Sequence, residues 1–446
     1  MEYKPVLQFN QLLFEFFTKL EPTHESLSGA VYALGLKRCG EIIRYNNEDM
    51  ALQGDLSLSA FAPYWQNFAK KLGRTLRRDD DLLLPGPKER QELIDLSNEW
   101  IFPISEISIL HKERYFLFFQ RRPIIAYVLK SVLSPNENYG RPLKTEHSPT
   151  IYLNFQANSG ATDGSQELRQ YRLQQLYNIL LRLVDYSSWR LVDSNNRKKD
   201  TLCVSVEAQK CFQKEEPKDH VCIVSGPVLE PVKKTATTLT FDQYLELRSS
   251  HMRLMAMHRY GVRPTGLCGM DALMKRLGAA AVIVDLFEVR HATAVTVVRS
   301  GLGSSKGASY ILYNSARLET ILRTFNNHVE DGYYNSLPPL KEIDLSVLEE
   351  DMDWHLIFGY LFGFPELLES LVDQMSQGQC GVHLLVRFIE NLASAFSRYY
   401  RQKKVLVQNR DQLMPILYAR IYLMLAVRQV LNMALSLFGI EPVDYI

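Results

Sequence analysis

The sequence contains few cysteines and no long apolar run that is free of charge. Six cysteines occur among 446 residues, and none is spaced as Cys-x-x-Cys, so neither a zinc site nor a disulfide framework is expected. The two most apolar stretches are residues 277–289, which are too few to span a bilayer and include Asp285, and residues 416–440, which include two arginines. Because the first residues also lack a secretory pattern, we expect a cytoplasmic protein that does not contact membranes.

Neither sign of charge is in excess over the whole chain, which has 51 Lys and Arg against 50 Asp and Glu. Any nucleic-acid site must therefore come from local segregation of charge. Such segregation is present, because residues 341–373 contain nine acids and one base, whereas residues 398–428 contain seven bases and one acid. The basic segment is the place to look for an electropositive surface.

Motifs that bind nucleotides or metals are missing as well. Gly301-Leu302-Gly303 does not complete Gly-x-Gly-x-x-Gly, and no Walker A sequence occurs. No spacing of His, Cys, Asp or Glu is typical of a metal site. We therefore predict no cofactor and no metal ion.

Hydrophobic periodicity predicts a different architecture in successive parts of the chain. Residues 1–148 combine helical and strand patterns. Between residues 149 and 305 strands alternate with helices, and we predict strands at residues 150–155 and 280–289 and an amphipathic helix at residues 165–183. From residue 306 onward nearly every pattern is helical, which predicts a bundle whose last helix ends at Gly439.

Two helices of the predicted bundle combine aromatic and basic residues. Tyr310, Tyr313 and Arg317 follow one another at i, i+3 and i+7, so they share one face of a helix. Such a face can stack on unpaired bases and hold a phosphate. Packing against a neighbouring domain is the alternative for this face.

The second helix places aromatic and basic residues together at its end. These residues are Arg398, Tyr399, Tyr400, Arg401, Lys403 and Lys404. A helix terminus of this composition suits single-stranded RNA, although a solvated terminus with core aromatics is the alternative. In the last helix Arg428 lies on an apolar stripe, which predicts a structural ion pair within the bundle.

The segments YILYNSARLETILR, LLVRFIENLASAFSRYY and ARIYLMLAVRQVLNMALSLFGIEPVDYI, with their spacing, resemble the DALR anticodon-binding domain of class I arginyl-tRNA synthetases. That family shows a Tyr-x-x-Tyr-x-x-Ala-Arg helix, matched here by Tyr310, Tyr313, Ala316 and Arg317. Ser397 departs from the asparagine that is usual in its position. Residues 277–286 resemble the segment that precedes the helical domain in that family. Residues 114–133 resemble the end of the family's N-terminal add-on domain.

The resemblance does not extend to the family's ATP motifs. His-x-Gly-His does not occur, and the best alignment places Gly164 and Glu167 where the two histidines stand. We interpret Gly164 and Glu167 as a degenerate ATP motif. The lysine-rich second motif is also missing.

An arginyl-tRNA-synthetase-like sequence without ATP motifs resembles the family of DALR anticodon-binding domain-containing protein 3. The resemblance implies a multidomain α+β fold with three regions: an add-on-like α+β region (1–148), a degenerate Rossmann-like α/β core (149–305) and an all-α DALR helical bundle (306–446). It also implies a non-catalytic adaptor that binds arginine tRNAs through Tyr310, Tyr313, Arg317 and the residues of the second helix. The partner would be a methyltransferase-like enzyme that makes 3-methylcytidine in the anticodon loop. An active arginyl-tRNA synthetase and a scaffold that binds only proteins are the alternatives.

Overall fold

The computed structural model describes residues 5–20, 42–110, 113–134, 139–155, 166–198, 200–208, 220–260, 270–298 and 307–443. The chain forms two compact units. The first comprises Met1–Ser131 and Glu342–Phe362, and the second comprises Val132–Lys341 and Gly363–Ile446. The segment Glu342–Phe362 thus packs with the N-terminal region, although it lies inside the predicted helical region 306–446. The boundaries of the three predicted regions remain predictions.

The first unit is an α+β structure built on antiparallel strands. Its main sheet has the strand order β2-β3-β6-β5, and β1 pairs with β4 apart from it. The strands are β1 Thr18–Leu20, β2 Ile43–Tyr45, β3 Leu56–Ser59, β4 Arg74–Leu76, β5 Ile104–Leu110 and β6 Arg114–Phe119. The helices are α1 Pro5–Phe17, α2 Met50–Gln53, α3 Ala62–Lys71, α4 Pro87–Ser97 and α5 Arg121–Val132, whose last residue belongs to the second unit. Residues 114–133, which resemble the end of the add-on domain, contain β6 and α5.

The segment 342–362 completes the core of the first unit with an aromatic ladder. The short helix Asp351–Leu356 continues into the π-helix Ile357–Phe362. The rings of Trp354 and Phe358 are 4.9 Å apart, and so are those of Phe358 and Phe362. Rings stacked along a helix form a continuous apolar edge, and this edge packs against the sheet.

A buried carboxylate fixes that ladder to the sheet. Asp55 accepts hydrogen bonds from the backbone N–H of Phe119 at 2.7 Å and from Nε1 of Trp354 at 2.6 Å. Burial raises the pKa of Asp55 to about 6. Nearby, Arg121 pairs with Asp351 at 2.6 Å and Arg122 pairs with Glu349. Part of the acidic run seen in the sequence therefore serves structural ion pairs.

The second unit begins with a four-stranded parallel sheet. Its strands are β7 Thr150–Phe155, β8 Arg190–Leu191, β9 Leu202–Glu207 and β10 His220–Val224, in the order β10-β9-β7-β8. The helix α6, Leu168–Val184, connects β7 to β8. Two short parallel strands, β11 Val228–Leu229 and β12 Val295–Thr296, lie outside this sheet. The predicted α/β core is confirmed, because four parallel strands form one sheet and the helix α6 makes the crossover between two of them.

The strand predicted at residues 280–289 is wrong. These residues lie in the helix α8, Met270–Phe287, which packs against α7, Phe241–Tyr260. Ala280 through Phe287 are all buried, so this half of the helix has no polar face and its sequence has no helical period to detect. Asp285, which looked out of place in a buried strand, receives a hydrogen bond from Tyr244 at 2.7 Å and an ion pair from Arg248 at 2.9 Å.

The predicted helical bundle is confirmed and forms the rest of the second unit. Its helices are α9 Ala308–Glu330, α10 Phe364–Asp373, α11 Val382–Gln402 and α12 Met414–Leu437. Gly439 has a φ of 70° and follows the last helix, as the predicted C-terminal cap requires. By length and composition α12 could cross a membrane, but more than half of its most apolar window is buried inside the protein. It is the core helix of the bundle.

Candidate nucleic-acid interface

Arg317 lies between two tyrosine rings that come from different helices. Its guanidinium carbon is 4.6 Å from the ring centre of Tyr313 on α9 and 4.8 Å from that of Tyr400 on α11. The Arg317 Nη2 also donates a 2.7 Å hydrogen bond to the Tyr313 hydroxyl. The three side chains form one stacked cluster, held by cation–π attraction and by this hydrogen bond. We call it the Tyr-Arg-Tyr cluster.

Helical spacing explains how the cluster arises. Tyr313 and Arg317 are four residues apart on α9, while Ile311, Leu318 and Leu322 of the same helix are buried. On α11, the ring centres of Tyr400 and Phe396, also four residues apart, are 6.2 Å apart. Phe396 is buried, whereas Tyr400 is 41% exposed. Tyr400 therefore sits at the border between the core and solvent.

Exposed cations surround the end of α11. Arg398, Arg401 and Lys404 are exposed, and Lys403 is half-buried. Within the part of the chain that the structure describes, no carboxylate lies within ion-pair distance of Arg398, Arg401 or Lys404. The Arg401 Nε donates to the Ser397 carbonyl at 3.3 Å. Unpaired cations beside a partly exposed ring are what an RNA backbone with unstacked bases requires.

Tyr399 is not available to a ligand, so its prediction as a tRNA-binding residue is wrong. Its side chain is fully buried. Successive residues of a helix point about 100° apart, and Tyr399 lies seven residues after Leu392 and three after Phe396, which are both buried. The helix that exposes Tyr400 therefore places Tyr399 in the core.

Tyr310 is half-buried, and its ring makes no ring–ring or cation–π contact with another described residue. Its carbonyl accepts a 2.9 Å hydrogen bond from the Asn314 side chain, which only stabilises α9. The structure thus brings together Tyr313, Arg317 and Tyr400, with Tyr310 one turn away on α9. A role for Tyr310 in binding stays a prediction.

Arg420, which the sequence reading passed over, positions the basic loop after α11. Arg420 is 8% exposed, and its Nη1 donates to the Lys404 carbonyl at 2.9 Å. The Tyr334 hydroxyl donates to the Val407 carbonyl of the same loop. An arginine within an otherwise apolar helix is the sequence feature that could have revealed this role. Arg428, in contrast, forms the predicted ion pair with Glu319, at 3.2 Å.

The predicted degenerate ATP motif is only partly described. Gly164 lies outside the described residues. Glu167 is exposed and immediately precedes α6, the helix that follows strand β7. No group of three or more His, Cys, Asp or Glu residues among the described residues is arranged to hold a metal ion. The assignment of Gly164 and Glu167 therefore remains a prediction.

Comparison with known proteins agrees with this geometry. Residues 311–446 match the family described as DALR anticodon binding domain. DALR anticodon-binding domain-containing protein 3 of Danio rerio is 29% identical over 48% of this chain and 40% of its own length. The Mus musculus protein of the same name is 26% identical over 50% of this chain and 43% of its own length. The chain thus matches less than half of the length of these relatives.

Among solved structures, arginyl-tRNA synthetase from Plasmodium falciparum superposes with a TM-score of 0.59. The superposition covers 94% of this chain and 98% of the synthetase chain at 12% identity, and therefore shows the fold alone. The chain has the fold of arginyl-tRNA synthetases, its residues 311–446 match the DALR anticodon binding domain, and about half of it is similar to DALR anticodon-binding domain-containing protein 3.

Proposed function

We propose that this protein binds tRNA at the anticodon arm through its helical bundle and does not itself catalyse a reaction. The observation that carries the proposal is the Tyr-Arg-Tyr cluster, in which Arg317 is stacked between Tyr313 and a partly exposed Tyr400 beside unpaired cations. The tyrosine rings can stack on a flat base, and the neighbouring cations can bind its phosphates. The match to an anticodon binding domain supports the same assignment.

Within this surface each group has a distinct role. Tyr313 and Tyr400 stack on unpaired bases, with Tyr310 as an additional aromatic contact. Arg317 keeps both rings in place. The phosphates are met by Arg398, Arg401, Lys403 and Lys404.

Replacement of both tyrosines tests the assignment. Stacking on an aromatic side chain contributes roughly 1–3 kcal/mol per base. We therefore expect Tyr313→Ala with Tyr400→Ala to weaken the binding of an arginine tRNA by more than about tenfold in a gel-shift assay.

A matched control uses two partly exposed aromatic residues of the first unit, Phe61→Ala with Tyr64→Ala. These residues are 39% and 62% exposed and their rings are 6.3 Å apart. The control should bind tRNA like the unmodified protein. Equal affinity of the Tyr313 and Tyr400 variant, with an unchanged thermal midpoint, would remove the cluster from the proposed interface.

We further propose that the bound tRNAs are arginine tRNAs and that the anticodon loop is presented to a methyltransferase that makes 3-methylcytidine. The sequence resemblance to the family of DALR anticodon-binding domain-containing protein 3 implies this step, and we also propose a cytoplasmic location. The test adds the purified protein to such a methyltransferase and an arginine tRNA. We expect methylation to depend on this protein for arginine tRNAs and to be independent of it for other tRNAs.

Aminoacylation of arginine tRNA is the second candidate, because the chain shares the fold of the synthetases. Glu167 argues against it, since a carboxylate before α6 repels the triphosphate that the first synthetase motif stabilises. Arginine-dependent exchange of pyrophosphate into ATP, measured with tRNA present, separates the two functions. We expect no exchange above background, and robust exchange would establish catalysis.

A further inference from the structure

Two aromatic rings on the surface of the first unit remain largely open to solvent. Phe61 is 39% exposed and Tyr64 is 62% exposed, and their ring centres are 6.3 Å apart. They stand on either side of Ala62 and Pro63, the first two residues of α3. Aromatic side chains that are exposed together indicate a surface that binds a partner.

A cleft with a volume of about 350 Å³ lies beside this pair of rings. Ala62 of α3, Lys19 of β1 and Thr75 of β4 line it together with residues 78–81. The backbone N–H of Ala62 donates to the Asp81 carbonyl at 2.9 Å, so the loop 78–81 is held against the start of the helix. The cleft is therefore built from elements that are fixed to one another.

A smaller hollow of about 50 Å³ adjoins the cleft and shares the lining residues Ala62, Leu76 and Arg78 with it. Most of the side chains that line the hollow are apolar, including those of Phe16 and Leu83. The surface thus offers a polar cleft beside a place for one aliphatic side chain of a bound segment.

Uncompensated negative charge lines the cleft. Asp79, Asp80 and Asp81 are exposed, and none of them forms an ion pair within the part of the chain that the structure describes. Arg78 does not neutralise them, because its guanidinium pairs with two carboxylates of α4 at 3.6 and 2.8 Å. Lys19 is the remaining cation of the lining, so three carboxylates stand against one ammonium.

Carboxylates beside exposed aromatic rings fit the guanidinium of arginine. A guanidinium is flat and stacks on a ring, and its fork of N–H groups pairs with a carboxylate. An ammonium has neither the plane nor the fork. Three unpaired aspartates would repel a phosphodiester backbone, so this surface does not suit RNA.

We propose that this cleft binds an arginine-bearing segment of a partner protein. Arginine side chains of the segment stack on Phe61 or Tyr64 and pair with the aspartates of residues 79–81, and an aliphatic side chain enters the adjoining hollow. The inference goes beyond the proposed function and does not depend on it, because it concerns the first unit and involves no contact with tRNA.

The test uses a fluorescein-labelled peptide of about nine residues in which arginine alternates with leucine, titrated with the full chain and followed by fluorescence anisotropy. Three further peptides carry lysine for arginine, glutamate for arginine, or serine for leucine. We expect saturable binding of the arginine–leucine peptide. The lysine peptide should bind at least about threefold more weakly, the serine peptide about tenfold more weakly, and the glutamate peptide should not bind.

Two variants localise the binding to the cleft. Asp79→Asn/Asp80→Asn/Asp81→Asn removes the carboxylate charge and should weaken binding of the arginine–leucine peptide by roughly three- to tenfold. Phe61→Ala/Tyr64→Ala removes the rings and should weaken it by roughly fivefold or more. Both variants should keep the thermal midpoint of the unmodified protein, because all five side chains are exposed.

The matched control is Glu48→Gln/Glu99→Gln/Glu106→Gln, which removes three exposed carboxylates elsewhere in the first unit. None of these glutamates lines the cleft, and none forms an ion pair among the described residues. The control should bind the arginine–leucine peptide like the unmodified protein. An equal loss in the control and in the aspartate variant would overturn the proposal, because the attraction would then be general electrostatics.

Three other results would also overturn it. Equal affinity for the arginine and glutamate peptides, or unchanged binding by the aspartate variant, would remove the cleft as the binding site. Loss of tRNA affinity by the Phe61 and Tyr64 variant would assign the rings to RNA. A dimer in sedimentation that the aspartate variant disperses would assign the cleft to a second copy of this chain. None of these results on the peptide or the dimer alters the assignment of the Tyr-Arg-Tyr cluster.

Discussion

Arg317 holds two tyrosine rings that come from different helices, and its shape matters as much as its charge. A guanidinium is flat and can stack on both rings, whereas an ammonium is compact and strongly hydrated. Arg317→Lys keeps the charge but removes the plane between Tyr313 and Tyr400. Cation–π contacts contribute roughly 0.5–2 kcal/mol. We therefore expect tRNA affinity in a gel-shift assay to fall by between about twofold and about thirtyfold.

The result separates stacking from simple charge attraction. An affinity equal to that of the unmodified protein would mean that Arg317 acts only through its charge. Arg323→Lys on the same helix is the control, because Arg323 is exposed and has no described partner. That substitution should have no effect.

A second residue-scale prediction concerns Asp55 and pH. Burial raises the pKa of this carboxyl from its ordinary value of 3.8 to about 6. The folded state therefore holds the proton more tightly than the unfolded chain does. The contribution of the Asp55 carboxyl to the free energy of unfolding is complete below about pH 4 and is lost as the pH rises through about 6.

The measurement is the unfolding free energy of the unmodified protein minus that of Asp55→Asn, followed across pH in denaturant titrations. Subtraction cancels the titration of all other groups. A raise from 3.8 to about 6 corresponds to about 3 kcal/mol, so the difference should fall by about that amount between about pH 3 and pH 7. A difference that stays level, or rises with pH, would contradict the raised pKa of Asp55.

At the scale of elements, the aromatic ladder of residues 342–362 explains how a distant segment joins the first unit. Trp354 both stacks on Phe358 and donates to Asp55. Trp354→Phe keeps the stack but leaves the buried carboxylate short of a donor, which costs about 1–3 kcal/mol. Trp354→Ala also opens a cavity and should cost about 3–5 kcal/mol.

Denaturant unfolding of the full chain should rank the unmodified protein above Trp354→Phe, and Trp354→Phe above Trp354→Ala. Leu52→Ala is the control, because Leu52 is 80% exposed and its loss should change little. If Trp354→Phe were as stable as the unmodified protein, the hydrogen bond to Asp55 would have no stabilising role.

The helices also show which structural features can be predicted from the sequence and which cannot. The helices α9 to α12 were predictable because each has an apolar stripe or a capping residue such as Gly439. The helix α8 was mistaken for a strand because its second half is buried on every side, and a buried segment lacks the period that separates helix from strand. Tyr399 was misassigned because adjacent tyrosines look equivalent until the direction of the helix face is known.

At the scale of the whole molecule, charge segregation was readable from the sequence, but its uses were not. The basic segment near Arg398 and Arg401 is exposed and unpaired, as an RNA surface requires. Part of the acidic run instead pairs with Arg121 and Arg122 in the first unit. Long-range pairings of this kind depend on tertiary packing between segments more than 200 positions apart, which local patterns do not encode. The same limit applies to the meeting of Arg317 with Tyr400.

Nuclease footprinting of an arginine tRNA tests the central claim most directly, because it reports which nucleotides the protein covers. With the unmodified protein we expect protection of the anticodon loop, and we expect Tyr313→Ala with Tyr400→Ala to lose that protection at the same protein concentration. Protection confined to other parts of the tRNA, or a loop footprint that survives the double substitution, would contradict the assignment of the Tyr-Arg-Tyr cluster.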